Sequence, residues 1–107
     1  MLFRSPSYLI GGDDEDLIIT GTTIYDTQAG LANWKAIAAY WAGADDFATR
    51  SANLPRGNGV PLLDASTVTG NGSGNTLLGH GGKVLLYSDG LDAAIDFLFV
   101  QTVLIAP

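Results

Sequence analysis

The chain has 107 residues, no cysteine, one histidine and a formal net charge of −6. This length fits a single domain with one modest core, and the lack of cysteine excludes disulfides, thiol nucleophiles and cysteine metal sites. A chain this acidic is repelled by phosphate backbones, so its charge argues against nucleic-acid binding and fits cation binding better.

Residues 1–10 form an atypical N-terminal segment, without an apolar stretch long enough for a secretory signal. After them, Gly11 and Gly12 precede four consecutive acidic residues: Asp13, Asp14, Glu15 and Asp16. Like charges side by side repel, and no basic residue lies within six positions. Such a cluster is either a solvated turn or a set of cation ligands. Residues 11–26 are therefore treated as a glycine- and acid-rich repeat followed by a strand.

A first helix is predicted within residues 28–42, QAGLANWKAIAAYWA, with Asp26 and Thr27 as its cap. Its apolar residues recur at helical spacing and predict one buried face: Leu31, Trp34, Ala38 and Trp41. The two tryptophans could also form a carbohydrate-stacking platform, but core packing is the simpler use of this spacing.

A second helix is predicted up to Leu54, which completes a helical excursion over residues 27–54. Asp45 or Asp46 would cap it, Phe47 and Leu54 would face inward, and Pro55 would end it. The two adjacent carboxylates could instead act as an acid–base pair, as in glycosidases. A helix N-terminus explains them without a further assumption.

Strands are predicted on both sides of the helices, at 17–20, 62–69, 76–78, 84–87 and 97–105. The most apolar segment, 93–106, is shorter than the roughly 20 residues of a helical span, which predicts core or a buried strand and no membrane span. If strand 97–105 is exposed, it could pair with another copy and form a homo-oligomer.

Three glycine-rich nonapeptides can be aligned with the calcium-binding β-roll repeat, G-G-x-G-x-D-x-U-x, in which six residues form a turn and three a strand. They are residues 11–19, 70–78 and 79–87. The sixth position, which supplies a charged oxygen, holds Asp16 in the first repeat, Asn75 in the second and Val84 in the third. The repeats thus become less like the pattern along the chain, and residues 61–107 are predicted as strands with degenerate repeats.

A longer string of residues carries a family resemblance. Residues 16–26, DLIITGTTIYD, lead into the tryptophan-containing helix, ADDFATRSANL follows at 44–54, and Leu63 and Thr67-Val68 come next. In this order the chain, over residues 11–92, resembles the C-terminal module of extracellular bacterial proteins with hemolysin-type (RTX-like) calcium-binding repeats. Residues 1–10 do not resemble the repeats that precede such modules, which is compatible with a fragment of a larger protein.

The resemblance implies a secreted or cell-surface location and a calcium ion held by Asp13, Asp14, Asp16 and Asn75. Calcium takes six to eight oxygen ligands, so the ligands must come from two stacked turns. The predicted architecture is α+β, with a short-stranded, β-roll-like sheet and a two-helix insertion packed on it. The function expected is a calcium-associated structural or interaction module.

The alternative is a small metal-dependent or His/Asp-based hydrolase around His80 with Asp89 and Asp92. No nucleophile-elbow G-x-S-x-G accompanies these residues. A lone histidine in a glycine-rich turn is more often a surface residue. The sequence therefore favours a protein without catalytic residues.

Overall fold

The computed structural model describes residues 2–3, 8–12, 15–70, 72, 74, 76–78, 82–95 and 97–106, with the backbone alone at 2–3, 8–12 and 78. Strands at both ends of the chain flank two helices, which confirms the α+β fold and the two-helix insertion. In chain order the elements are β1 (Leu2–Phe3), β2 (Tyr8–Gly12), β3 (Glu15–Ile19), β4 (Gly21–Thr23), α1 (Leu31–Trp41), α2 (Phe47–Asn53), a short 3-10 helix (Leu54–Arg56), β5 (Val68–Gly70), β6 (Thr76–Leu78), β7 (Lys83–Ser88), β8 (Ala93–Ile95) and β9 (Phe99–Leu104).

The strands form a central sheet of five and two smaller sheets of two. The central order is β1-β2-β3-β7-β9, in which β1, β2 and β3 are antiparallel neighbours while β3, β7 and β9 run parallel. Strand β4 pairs antiparallel with β5, and β6 pairs parallel with β8. The helices lie in the connection between β4 and β5, so the insertion separates β3 from its parallel neighbour β7.

The last four strands alternate between the central sheet and the β6–β8 sheet, so β6 pairs with β8 and β7 pairs with β9. Leu77 of β6 lies opposite Ala94 of β8, and Leu85 of β7 lies opposite Gln101 of β9. We call residues 76–104 the C-terminal coil. Its first strand coincides with the last three residues of the second nonapeptide, as the repeat pattern predicts.

Strands β3 and β7 each contribute to two cores, because successive side chains point to opposite faces. The face toward the helices packs in the larger core: Leu17, Ile19, Leu85 and Tyr87 with Ile37, Trp41, Phe47, Leu54, Leu63, Val68 and Ile105. The face toward the β6–β8 sheet packs in the smaller core: Ile18, Val84 and Leu86 with Leu77, Ala94 and Phe97. Burial of each large aliphatic side chain contributes roughly 1.5–3 kcal/mol.

Helix α1 begins later than the sequence predicts, and the predicted cap is wrong. Gly30 is its N-cap and makes no side-chain cap hydrogen bond. The carboxylate of Asp26 instead accepts a hydrogen bond from the indole Nε1 of Trp34 at 3.3 Å. Leu31, predicted on the buried face, is 51% exposed, whereas Trp41 is buried. Burial of Trp41 supports the core-packing interpretation over a carbohydrate platform.

Helix α2 follows its prediction closely. Asp46 is the N-cap and accepts a hydrogen bond from the Thr49 backbone N–H at 2.8 Å. Hydrogen bonds from the side chain and backbone of Thr49 hold the pKa of the Asp46 carboxyl below its ordinary value. Phe47 and Leu54 are buried as expected. Pro55 lies within the short 3-10 helix that ends the helical segment.

The predicted strand over residues 62–69 is wrong except at its end, where Val68–Gly70 forms β5. Asp64 interrupts it, because its Oδ1 accepts a hydrogen bond from the Ser66 backbone N–H at 2.8 Å and its carbonyl accepts one from Thr67. These bonds close a turn in place of a ladder. The Ser66 hydroxyl also donates to Asp64, and these bonds hold the pKa of its carboxyl below the ordinary value.

Strand β9 is more exposed than the core or buried strand predicted within residues 93–106. Of its side chains only Val103 is half-buried, and the others are exposed. The reason is its place in the sheet, since β7 pairs with one of its edges and no strand in the described part of the chain pairs with the other. None of the helices among the described residues has the length and apolarity needed to cross a membrane.

Candidate functional site

The acidic turn has a basic partner that is distant in sequence. Glu15, at the start of β3, forms a salt bridge with Arg50 of α2. Asp13 and Asp14 lie outside the described residues. One of the four adjacent carboxylates is therefore neutralised by the helical insertion, so Glu15 serves the fold and is not available as a cation ligand.

Arg50 reaches Glu15 through a largely buried position. Its side chain is 9% exposed, its guanidinium carbon lies 4.6 Å from the centre of the Trp41 ring, and it donates a hydrogen bond to the Trp41 carbonyl. The Trp41 indole in turn donates to the Glu15 carbonyl at 3.1 Å. Burial lowers the pKa of the Arg50 guanidinium, and the salt bridge compensates for part of that desolvation.

Asp16 occupies the opposite face of β3 from Glu15. It is half-buried, alternates with Leu17, and lies on the same side as Ile18, which packs in the smaller core. Its backbone pairs with Gly11 on one side and Val84 on the other. The carboxylate predicted as a calcium ligand is therefore directed to the coil side of the sheet. The predicted six-residue turn over residues 11–16 is wrong, because Gly11 and Gly12 belong to β2 and pair antiparallel with Asp16 and Glu15 of β3.

The C-terminal coil has two ends. We call the end where β7 and β9 begin the front end, and the end where they finish the rear end. At the front end Glu15 lies opposite Lys83, and the Leu98 N–H donates to the Gly82 carbonyl at 2.8 Å. At the rear end the Gly72 N–H donates to the carboxylate of Asp89 at 3.0 Å.

Of the predicted calcium ligands only Asp16 lies within the described residues, because Asp13, Asp14 and Asn75 are outside them. Asp16 lies at the front end. The strand that follows Asn75 begins with Thr76 opposite Ala93, at the rear end.

A polar cluster lies at the rear end around Asp92. Its Oδ2 accepts hydrogen bonds from the hydroxyls of Thr20 at 2.6 Å and Ser88 at 2.7 Å. Thr20 is fully buried and Ser88 is 3% exposed, and Thr20 also approaches the Tyr87 carbonyl at 2.9 Å. This cluster joins the end of β3 to β7, and the Ser88 hydroxyl is buried within it, away from solvent.

Asp89 organises the neighbouring backbone. Its Oδ1 accepts from the Leu91 N–H at 3.1 Å, and its Oδ2 accepts from Gly72. Gly70 must be glycine for this arrangement, because a Cβ there would lie 2.7 Å from the Asp89 side chain. Asp89 therefore holds the turn after β5 against the turn after β7.

The residues predicted for a hydrolase are not brought together within the described part of the chain. His80 lies outside it, and Gly82, which follows it, is at the front end. Asp89 and Asp92 are at the rear end, beyond the six residues of β7. At about 3.3 Å per residue, β7 separates the two ends by roughly 20 Å.

The segment that carries the family resemblance has a structural role. The Thr23 N–H and hydroxyl donate to the two carboxylate oxygens of Asp26, each at 3.0 Å. The Tyr25 hydroxyl donates to the Leu62 carbonyl at 2.7 Å. Gly21 pairs with Gly70 so closely that a Cβ at Gly21 would lie 2.0 Å from a backbone oxygen. The motif thus fixes β4 against β5 and the start of the insertion.

No group of three or more His, Cys, Asp or Glu side chains within the described ranges could hold a metal ion. Comparisons of the chain with known protein families, with curated proteins and with solved structures found no match.

Sequence reasoning missed the role of Arg50. A signal was present, because Phe47, Arg50 and Leu54 follow i, i+3, i+7 spacing and so share one helical face. An arginine on a buried face requires an acidic partner. The acidic run at residues 13–16 was the natural place to look for it, because no basic residue lies near it in sequence.

Proposed function

We propose that this chain is a calcium-associated structural or interaction module of a secreted or cell-surface bacterial protein. The observation that supports the proposal best is the C-terminal coil, in which strands alternate between the parallel part of the central sheet and the parallel β6–β8 pair, as in a β-roll. The location is proposed on the sequence resemblance alone.

The second observation that supports the proposal is that Glu15 and Asp16, which are adjacent in sequence, have different surroundings. Glu15 is paired with Arg50, whereas Asp16 lies on the coil side of β3. Asp16, together with Asp13 and Asp14, would supply the charged oxygens for a hard cation. Further oxygens would come from a second turn, in which Asn75 is the predicted ligand, since one turn does not fill the coordination shell of calcium.

In this proposal calcium reduces the repulsion among the remaining carboxylates and favours the folded state. A ligand that binds only the folded chain stabilises it in proportion to the logarithm of its concentration over Kd. Extracellular modules bind calcium with Kd of about 0.1–1 mM. At 10 mM calcium the gain is then roughly 1.4–2.7 kcal/mol, which raises the Tm of a domain this size by about 5–10 °C.

Thermal unfolding with calcium, magnesium or chelator tests the proposal directly. The parent should gain Tm with calcium, and Asp16→Asn should lose most of that gain. Asp45→Asn is a matched control, since it removes the same charge from an exposed carboxylate next to α2. An equal Tm with calcium and chelator in the parent, or an undiminished gain in Asp16→Asn, would refute the assignment of this turn.

A further inference from the structure

Strand β9 and the residues around it form an apolar surface. The exposed side chains are Leu98 (74%), Leu104 (68%), Ile95 (49%), Phe99 (48%) and Val100 (37%). Together with the outer edge of β9, we call these residues the β9 surface. They expose on the order of 600 Å² in total, divided between the two faces of the sheet, compared with the roughly 800 Å² per partner of a stable interface.

The β9 surface lacks the features that normally keep an edge strand from pairing. Natural edges carry lysine, proline or bulges. Residues 97–106 contain no charged residue and no proline, although the whole chain has a net charge of −6. Two copies of so acidic a chain repel each other, and this segment is a place where they can approach without bringing like charges together.

A cleft of about 230 Å³ lies between β9 and α2. It is lined by Phe47, Ala48, Ser51, Ala52, Phe99 and Gln101. The hydroxyl of Ser51 is buried there without a hydrogen-bond partner. An added strand would therefore place one side chain over a cleft that offers apolar walls and one unsatisfied polar atom.

We propose that the occupant of the β9 surface is a second copy of this chain, whose own β9 adds antiparallel about a two-fold axis at Gln101. This register pairs Leu98 with Leu104 of the second copy, so the two most exposed leucines cover each other. It also pairs Phe99 with Val103, on the face toward the helices. Self-complementarity of this kind is what a two-fold interface requires.

The same register accounts for the cleft. Gln101 of the second copy lies opposite Gln101, on the face where Gln101 lines the cleft with Ser51. Its amide carries both a donor and an acceptor, so the two Gln101 side chains can hydrogen-bond to each other at the two-fold axis. The central sheets of the two copies then form one continuous sheet, and neither retains an exposed β9 edge.

Sedimentation of the full chain, measured in chelator so that the result does not depend on calcium, tests the proposal. The parent should sediment at twice its 11.1 kDa mass at tens of micromolar, and added salt should strengthen the dimer by screening its acidic charge. Leu98→Glu and Leu104→Lys should each weaken the dimer at least tenfold. Ile24→Lys, a matched change at a side chain 61% exposed outside the β9 surface, should leave it intact.

The double variant Leu98→Glu with Leu104→Lys tests the register itself. In the proposed pairing each new glutamate meets a new lysine of the other copy, so the dimer should recover. Far-UV circular dichroism checks that each variant is folded. The dependence of the parent's sedimentation on protein concentration tests dimerisation without any variant. A monomeric parent in high salt would overturn the proposal and leave an extended segment of another protein as the occupant. A dimer unaffected by either single change would overturn it as well.

Discussion

The carboxylate of Glu15 is bonded to the guanidinium of Arg50, across 35 positions of sequence. The pair connects the first strand of the parallel part of the sheet to the second helix of the insertion. It therefore joins β3 to α2, which β4 and α1 separate in sequence. It also neutralises one carboxylate of the acidic run.

Removal of one member of this pair should destabilise the fold. Arg50→Met leaves Glu15 without its partner, and Glu15→Gln leaves a guanidinium that is largely buried. Breaking a buried pair costs about 3–5 kcal/mol, and we expect about 2 kcal/mol because Glu15 retains partial access to water. Urea unfolding measures this. The double change should cost less than the sum of the two, and strict additivity would show that the residues do not interact.

Acid should weaken the cap of α2 in a defined pH range. The pKa of Asp46 is lower in the folded chain than in the unfolded chain, so at pH values between them the unfolded state binds more protons. Stability contributed by this group is complete above about pH 4 and is lost as pH falls through the folded pKa. Asp46→Asn, which keeps a capping oxygen, should reduce the slope of unfolding free energy against pH. An unchanged slope would contradict this.

High pH should lower the stability of the fold through ionisation of Tyr87. Its hydroxyl donates to the Leu63 carbonyl at 2.7 Å, and burial raises the pKa of this phenol well above 10. Its stabilising contribution is therefore complete below about pH 10, where the unfolded phenol ionises, and is lost at higher pH. Tyr87→Phe should cost about 1 kcal/mol at neutral pH and should reduce the fall in stability between about pH 9 and 11. An equally steep fall in the variant would exclude Tyr87 as its source.

A methyl group at Gly21 should be poorly tolerated. Its Cβ would lie 2.0 Å from the Thr69 carbonyl oxygen, so β4 and β5 would have to separate. We expect Gly21→Ala to cost about 2–3 kcal/mol. Gly59→Ala is the control that introduces backbone strain without a steric clash, because that glycine has φ of 75° but open space around it. Its cost should be about 1 kcal/mol, and equal losses in the two variants would contradict the steric explanation.

The parts of the fold that the sequence predicts well depend on neighbours in sequence. Strand β6 matches its predicted residues, 76–78, because the nonapeptide places three strand residues after a glycine-rich turn. Helix α2 follows from the Asp46 cap and the inward spacing of Phe47 and Leu54. Where local polar bonds compete with the pattern, as at Asp64, the prediction of a strand is wrong.

The candidate site was less predictable, because its geometry depends on partners distant in sequence. The pairing of Glu15 with Arg50 requires that α2 packs against β3, and the bonding of Asp92 to Thr20 requires that the end of β3 lies beside the end of β7. Side chains alternate along β3, so Glu15 and Asp16 lie on opposite faces of the sheet. The apolar residues that follow them in sequence would have been enough to predict this. The exposure of β9 could not be predicted, because the sequence does not indicate which strand lies at the edge of the sheet.

The topology also sets an order of assembly. Pairs within the C-terminal coil close short loops, whereas the pairing of β3 with β7 closes a loop that contains the whole helical insertion. Loop closure costs more entropy as the loop lengthens, and contacts distant in sequence slow folding. We therefore expect the coil to form early and to serve as the template on which β3 docks. Strands β1, β2 and β3 would then be the first strands of the central sheet to separate when the protein unfolds.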